Sequence, residues 1–372
     1  MKRLWVYNYD FEFRLAGQPP LKAGSGPWAL LNRSGQWMAP LCQPGDGILL
    51  PEPPPPWISQ SLEGLLGFCP EWVIRPREPE TNAPLADWAM VLLELAQAWS
   101  IRYWGQPQPN ALMRRVNSKA FSYQAREQLL PPAWHIPSAW LEGAGLTRQR
   151  LDETLSQFEA EQGSFLVKDP FGLSGRGLAF NPGPAEYSRL LGWAQASGGL
   201  LLEKVLAHQG EESLHFDIHD QGYQYCGRAK LFSNPQGGYS GSQVQPEEAP
   251  PWLDEVFPLL ALVQDAGYRG PLGLDLLYDA EFQPRLLEVN ARWTMGRMAL
   301  EWARRLGFAG ILALKRDSVS ASQPLEALTP PPGTHFIHYA AGGKAWLTRL
   351  ILARNPIDLV WQEQAFKAKL YQ

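Results

Sequence analysis

Cysteine is scarce in this chain of 372 residues: Cys42, Cys69 and Cys226 are the only three. An odd number with no C-x-x-C pair excludes a disulfide framework and a thiolate zinc site, and ordinary reduced thiols are expected. Neither sign of charge dominates, since 33 Lys and Arg stand against 37 Asp and Glu for a formal net charge of −4. Nothing global therefore attracts nucleic acid or an anionic membrane, and neither is expected as a partner. Long apolar runs are missing as well. The opening MKRLWVYNYDFEF alternates polar and apolar residues where a signal peptide would have an unbroken core, and the stretch 88–93 is cut by Glu94, so a cytoplasmic location is expected. There is no internal repeat. Two phosphate-binding signatures are absent too, because the chain has no G-x-x-x-x-G-K-[ST] run and no G-x-G-x-x-G after its first strand pattern.

What is present is a composition of 45% hydrophobic and 19% charged residues, with length enough for two or three packed subdomains. A first lobe, residues 1–107, opens with a strand pattern over 4–13. It continues through a strand ending in the proline run ILLPEPPPPW (48–57), and closes with helical spacing from Leu85 to Trp99, ended by Gly105 and Pro107. A central lobe, 108–206, contains ALMRRVNSKAFSYQAREQLL (111–130) and a helix through Leu151, Leu155 and Phe158 that stops at Gly163. A strand–loop–strand, a helix over 187–196 and an edge strand LLLEKVL (200–206) follow. The third lobe, 207–320, has strand alternation at Leu214, Phe216 and Ile218, a strand run over 223–232, a flexible loop GGYSGS (237–242), a helix over 252–264, an acidic hairpin and a helix from about 296 to 306. Residues 321–372 read as a tail.

Two stretches carry chemistry. In FLVKDPFGLSGRGLAF (165–180), Lys168 ends an apolar run just before Gly172, Gly175 and Gly177. Glycines at a hairpin tip leave backbone N–H groups accessible to a phosphate; a glycine-rich turn beside a solvated lysine is the plain alternative. In LGLDLLYDAEFQPRLLEVNAR (272–292), Asp275 and Glu288 sit on two apolar strands joined by a tight turn, which brings both carboxylates to one sheet face. Asn290, two residues beyond Glu288, points to the same side, and two carboxylates with an amide oxygen suit Mg²⁺. Carboxylates among such apolar neighbours require a cation or hydrogen-bond donors. His215, His219, His335 and His338 are expected to be packed or solvated, Arg176 is either a phosphate clamp or a solvated loop tip, and the sixteen tryptophans are assigned to packing.

Taken together, K-x-x-x-G-x-x-G-x-G, then L-L-L-E-K-V-L, then G-x-D followed by L-L-E-V-N-A-R, in that order over roughly residues 111–306, resembles the ATP-grasp superfamily. The resemblance implies an α+β fold in which two α+β lobes enclose ATP behind an N-terminal α/β lobe. It implies ATP and Mg²⁺ as cofactors, with Mn²⁺ as a substitute. Lys168 and Lys119 would reach the phosphates, with Gly172, Ser174, Gly175 and Gly177 as the cradle. Residues Glu203, Lys204 and Leu206 would form the hinge beside adenine, and Glu211 or Glu212 would hold the ribose. Asp275, Glu288 and Asn290 would be the metal ligands. Arg292 would steady an acyl phosphate, with Lys230 and Arg297 as further catalytic candidates. The implied activity is an ADP-forming ligase joining a small carboxylate to an amine, or to a thiol. Alternatives left open are a kinase acting on an alcohol and a regulatory protein that binds ATP without turnover. Homo-oligomerisation is also open. Neither a biotin-attachment nor a glutaminase signature is present.

Overall fold

A computed structural model describes residues 1–8, 10–17, 34–74, 95–105, 110–172, 177–234, 237–320, 329–340 and 345–370. The first lobe runs β1 (Arg3–Val6), α1 (Asp10–Leu15), β2 (Gly47–Leu50), α2 (Pro56–Leu66), β3 (Glu71–Ile74) and β4 (Ser100–Tyr103), with a 3-10 segment at Ser34–Leu41. Its four strands are all parallel, in the order β3-β2-β1-β4. The strand expected over 4–13 stops at Val6, and Asp10–Leu15 is helical instead. The four-residue spacing of Phe11 and Leu15 explains the difference, since both side chains enter the main core on one helical face. Most of the helix expected over 85–99 lies outside the described residues.

The chain continues with α3 (Ala111–Val116), α4 (Lys119–Leu129), β5 (Ser138–Glu142), α5 (Arg148–Gln162), β6 (Phe165–Lys168), β7 (Leu178–Phe180), α6 (Tyr187–Ser197) and β8 (Gly199–Lys204). Helix α5 starts on its Thr147 cap and stops at Gly163, whose φ of +77° is a left-handed conformation that glycine tolerates. Strands β5 to β8 form an antiparallel sheet in the order β5-β8-β6-β7. LLLEKVL is therefore an inner strand, not an edge: its unbroken apolar run is buried between β5 and β6. This small sheet with α5 and α6 has its own core and makes a separate unit, in the place the sequence assigned to a lid.

The third unit runs β9 (His208–His219), β10 (Gly222–Ser233), β11 (Tyr239–Val244), α7 (Phe257–Asp265), β12 (Gly270–Asp279), β13 (Pro284–Asn290), α8 (Met295–Leu306), β14 (Ile311–Val319), β15 (Thr334–Ala340), β16 (Ala345–Ala353) and α9 (Pro356–Leu370). Its eight strands are ordered β13-β12-β9-β10-β11-β14-β16-β15. Two expectations are corrected here. The loop foreseen at 237–242 is largely strand β11, where Gly241 lets the backbone approach Leu314, a residue whose carbonyl oxygen would stand 2.5 Å from any Cβ at position 241. The tail foreseen at 321–372 contributes β15 and β16 to the main sheet and covers it with α9.

Strand parity then separates structure from chemistry. Leu214, Phe216 and Ile218 of β9 and Leu272, Leu274 and Leu276 of β12 enter a core shared with Phe121 and Ala125 of α4 and with Leu259, Leu260 and Val263 of α7. The alternate residues Ser213, His215, Gly273 and Asp275 face the other way, toward α8 and the lid. Helices α3 and α4, foreseen as part of the central lobe, pack on this core and not on the lid.

Candidate active site

The acidic hairpin forms as its spacing requires. Asp275 on β12 is directly opposite Glu288 on β13, and Gly273 is opposite Asn290, so all three polar side chains share one face. Asn290 Nδ2 donates to Asp275 Oδ2 at 2.7 Å. Burial first, and then the charge of Glu288, push the Asp275 carboxyl up to about 7, with Glu211 adding to the repulsion and Ser213 and Arg292 opposing it. The donor set is two carboxylates and one amide with an excess of negative charge. A divalent cation that takes the rest of its ligands from water and phosphate fits that set. Among the described residues, no group of three or more His, Cys, Asp and Glu side chains makes a dedicated metal cage.

Strand β13 is an edge of the large sheet, and polar side chains of α4 and of Asn117, just before it, close that edge. Val289 N donates to Ser122 Oγ at 2.9 Å, Ala291 N to Asn117 Oδ1 at 2.8 Å, and Arg126 Nη1 reaches Leu286 O at 2.8 Å. The groups that position Glu288 and Asn290 are thus Asn117, Ser122 and Arg126, none of which stood out in the sequence. For Ser122 and Arg126 the signal was available as the polar stripe Ser118, Ser122, Arg126, at i, i+4, i+8 of an otherwise amphipathic helix, whereas Asn117, between α3 and α4, lies outside that stripe. The same helix starts on the Ser118 cap and delivers Lys119 to the site, where Nζ donates to Gly172 O at 2.6 Å and meets Glu288 Oε1 at 3.3 Å.

Gly172, the last described residue on the first arm of the glycine hairpin, comes up to this point. Asp169 N donates to Gly177 O at 2.8 Å, and Gly177, at φ +80°, sits where a Cβ would stand 2.8 Å from Gly172 Cα. The two glycines touch at the neck of the loop, and a side chain at position 177 would not fit there. Ser174, Gly175 and Arg176 lie outside the described residues. Lys119, Phe171, Gly172, Glu288, Asn290 and Arg292 line one cleft between lid and sheet. The Arg114 guanidinium lies 4.4 Å from the centroid of the Phe171 ring, beside this cleft.

Lys168 lies at the end of β6 and pairs with Glu203 of β8, whose other oxygen accepts from Arg126 Nη1 at 2.9 Å. Burial would raise the Glu203 carboxyl, but the charges of Lys168 and Arg126 outweigh it and hold the group below the ordinary glutamate range. Lys204 and Leu206 fall on the crossing from β8 to β9, at 204–207. Glu211 accepts from Ser233 Oγ at 2.8 Å, whereas Glu212 is buried with Tyr278 and Arg228.

Two candidates are not brought to the site. Lys230 pairs in register with Glu212, on the sheet face opposite Asp275, and the residues of β10 that share the Asp275 face there are Ala229 and Leu231. Arg297 is buried on α8 with its guanidinium bidentate on Asp217, at 3.1 and 2.8 Å, and 2.6 Å from Glu301, so its charge is already used. His215 and His338 are buried and held below their ordinary range, by burial above all, His338 to about 3. The expectation for both was a packed or solvated histidine, and both are packed.

This architecture is the ATP-grasp fold: a lid and an eight-stranded sheet with a cleft between them, behind a parallel N-terminal lobe. No protein-family model matches the chain. A butirosin acyl-carrier protein–L-glutamate ligase of Niallia circulans is 29% identical over 138 residues, 35% of this chain and 33% of the relative, so the match spans about a third of that relative's length. Among solved structures, the N5-carboxyaminoimidazole ribonucleotide synthetase of Thermus thermophilus superposes with a TM-score of 0.56 at 14% identity, covering 99% of both chains. The biotin carboxylase domain of the Hydrogenobacter thermophilus 2-oxoglutarate carboxylase, a dimer in complex with MgADP, ADP and bicarbonate, gives 0.55 at 14% identity over 95% of this chain and 87% of the other. Among the described residues no helix is long and apolar enough to cross a membrane.

Proposed function

We propose that the chain is an ADP-forming ligase that activates a carboxylate with MgATP and passes it to an amine or thiol. The observation that carries this reading is the meeting of Lys119, Glu288, Asn290 and Arg292 in one cleft under the glycine hairpin, with Asp275 behind them. Lys119 and Lys168 hold the phosphates, the amides of the glycine loop cover them, and the crossing at Glu203, Lys204 and Leu206 takes the adenine. Asp275, Glu288 and Asn290 would hold Mg²⁺, which would neutralise charge on the transferring phosphate. The reaction is phosphoryl transfer from ATP to a carboxylate oxygen, giving an acyl phosphate and ADP. Attack by the nucleophile on the acyl carbon then expels orthophosphate. Arg292 lies at the cleft wall beside Glu288 and steadies the acyl phosphate. The lid excludes water, which would otherwise hydrolyse that intermediate.

The relative's name pairs L-glutamate with an acyl-carrier protein, so amino-acid carboxylates are the donors to try first and carrier-borne amines or thiols belong among the acceptors. The test is incubation with MgATP and pools of amino acids and small carboxylates, with release of ADP as the readout and Glu288→Gln as the control. Stoichiometric AMP would exclude the reading. A phosphoester product would favour the kinase alternative.

A further inference from the structure

Arg126 is 1% exposed, and its guanidinium makes five contacts, matching its five N–H donors. Nη1 binds Glu203 Oε1 at 2.9 Å and Leu286 O at 2.8 Å; Nη2 binds Ser138 Oγ at 2.7 Å and Ile136 O at 3.3 Å; Nε faces Glu127 Oε1 at 3.3 Å. The identity of these partners matters more than their number. Ile136 and Ser138 mark where the chain passes from the large unit into the lid, and Glu203 lies where it returns. Ser138 and Glu203 are opposite each other in the β5–β8 pair, so one guanidinium caps both crossings. Leu286 belongs to β13, two residues before Glu288. The second oxygen of Glu203 holds Lys168.

We propose that Arg126 is a positioning residue for the nucleotide: it pins both hinge strands of the lid to β13 and, through Glu203, fixes the place of the Lys168 ammonium. The proposal rests on the ATP reading above. A planar fork can serve these diverging acceptors at once, whereas a lysine ammonium offers three donors from a single point and cannot. Arg126 touches no phosphate itself, and its effect on binding passes through Lys168, the two hinge strands serving to hold Glu203 in place.

The experiment is a double-mutant cycle on MgATP affinity, read by calorimetry, with the melting temperature of each protein recorded alongside. Wild type is measured first; if it does not bind MgATP, the reading under Proposed function falls and this inference with it. Given binding, Arg126→Lys weakens MgATP about tenfold in the wild-type background and less than about twofold when Lys168→Ala is already present, while the melting temperature still falls in both. A purely structural arginine would give equal losses of affinity in the two backgrounds, and that result overturns the proposal alone. Should Arg126→Lys fail to fold, Ser138→Ala removes one arm of the same fork without stranding a charge. The expected loss is then about threefold in wild type and none beside Lys168→Ala, with equal losses again overturning the proposal.

Discussion

Lys119 and Glu288 face each other across the cleft, Nζ to Oε1 at 3.3 Å, with the lysine side chain 6% exposed and the glutamate 26%. The cation proposed for phosphate and the carboxylate proposed for metal thus neutralise one another in the protein without ligands. Arrival of either ligand releases the partner that the other one needs. Mg²⁺ and ATP should therefore bind with positive coupling, and Lys119→Ala should have opposite effects on the two: metal alone binds about fivefold more tightly, ATP about tenfold more weakly. Titration of metal without nucleotide, then of nucleotide with saturating metal, checks both signs.

The Asp275 carboxyl, held up to about 7 against an ordinary 3.8, makes stability fall with pH in the protein without metal. A raised group favours the fold while it is protonated. That advantage is complete below about pH 4 and lost as the pH rises through about 7. Asp275→Asn should then raise stability at pH 8 by on the order of 1–3 kcal/mol and change it little at pH 4. Urea unfolding at the two pH values is the measurement. The same variant should lose the stabilisation that Mg²⁺ gives at pH 8.

Lys168, proposed above to hold phosphate, also pairs its ammonium with a glutamate that is 2% exposed. Lys168→Met should lower MgATP affinity by at least about tenfold and also lower the melting temperature, since it removes one of the two cations beside a buried carboxylate. Adding Glu203→Gln should recover much of the stability and none of the affinity. The pair of measurements separates the two roles.

Gly177→Ala should disturb the glycine loop without unfolding the protein. A left-handed residue with a Cβ costs about 1–2 kcal/mol, and here the added atom also meets Gly172 Cα at 2.8 Å and Asp169 Cβ at 2.9 Å. The strain is local to the neck of the hairpin, so MgATP affinity should fall severalfold while the melting temperature moves by only a few degrees. An unchanged affinity would mean that the loop does not cover the phosphates.

How far the sequence reached differs between local and long-range features. The β12–β13 hairpin and the shared face of Glu288 and Asn290 followed from period-two geometry within fifteen or so residues, and the β6–β7 hairpin followed from its glycines. The inner place of β8 and the joining of β15 and β16 to the large sheet are set by partners distant in sequence, which periodicity does not report. Lys230 illustrates a related limit. A strand pattern says that neighbours alternate, but which set faces Asp275 depends on the register with β9 and on the irregularity between Tyr225 and Gly227. The stripe Ser118, Ser122, Arg126 marked a polar side of α4, but the role of Arg126 was not legible from it, because two of its main acceptors, Glu203 and Leu286, are 77 and 160 residues away.

The central claim, that ATP activates a carboxylate as an acyl phosphate in this cleft, is tested most directly by oxygen transfer. Once a donor acid is found, it is labelled with ¹⁸O in its carboxylate, turned over with MgATP and the nucleophile, and the phosphorus products are examined by mass spectrometry. The account predicts one ¹⁸O atom in orthophosphate for each ADP and each amide or thioester formed, and a turnover reduced about a hundredfold by Glu288→Gln, equivalent to about 3 kcal/mol of transition-state stabilisation. Label appearing in AMP, or ADP formed with no label in orthophosphate, would contradict it.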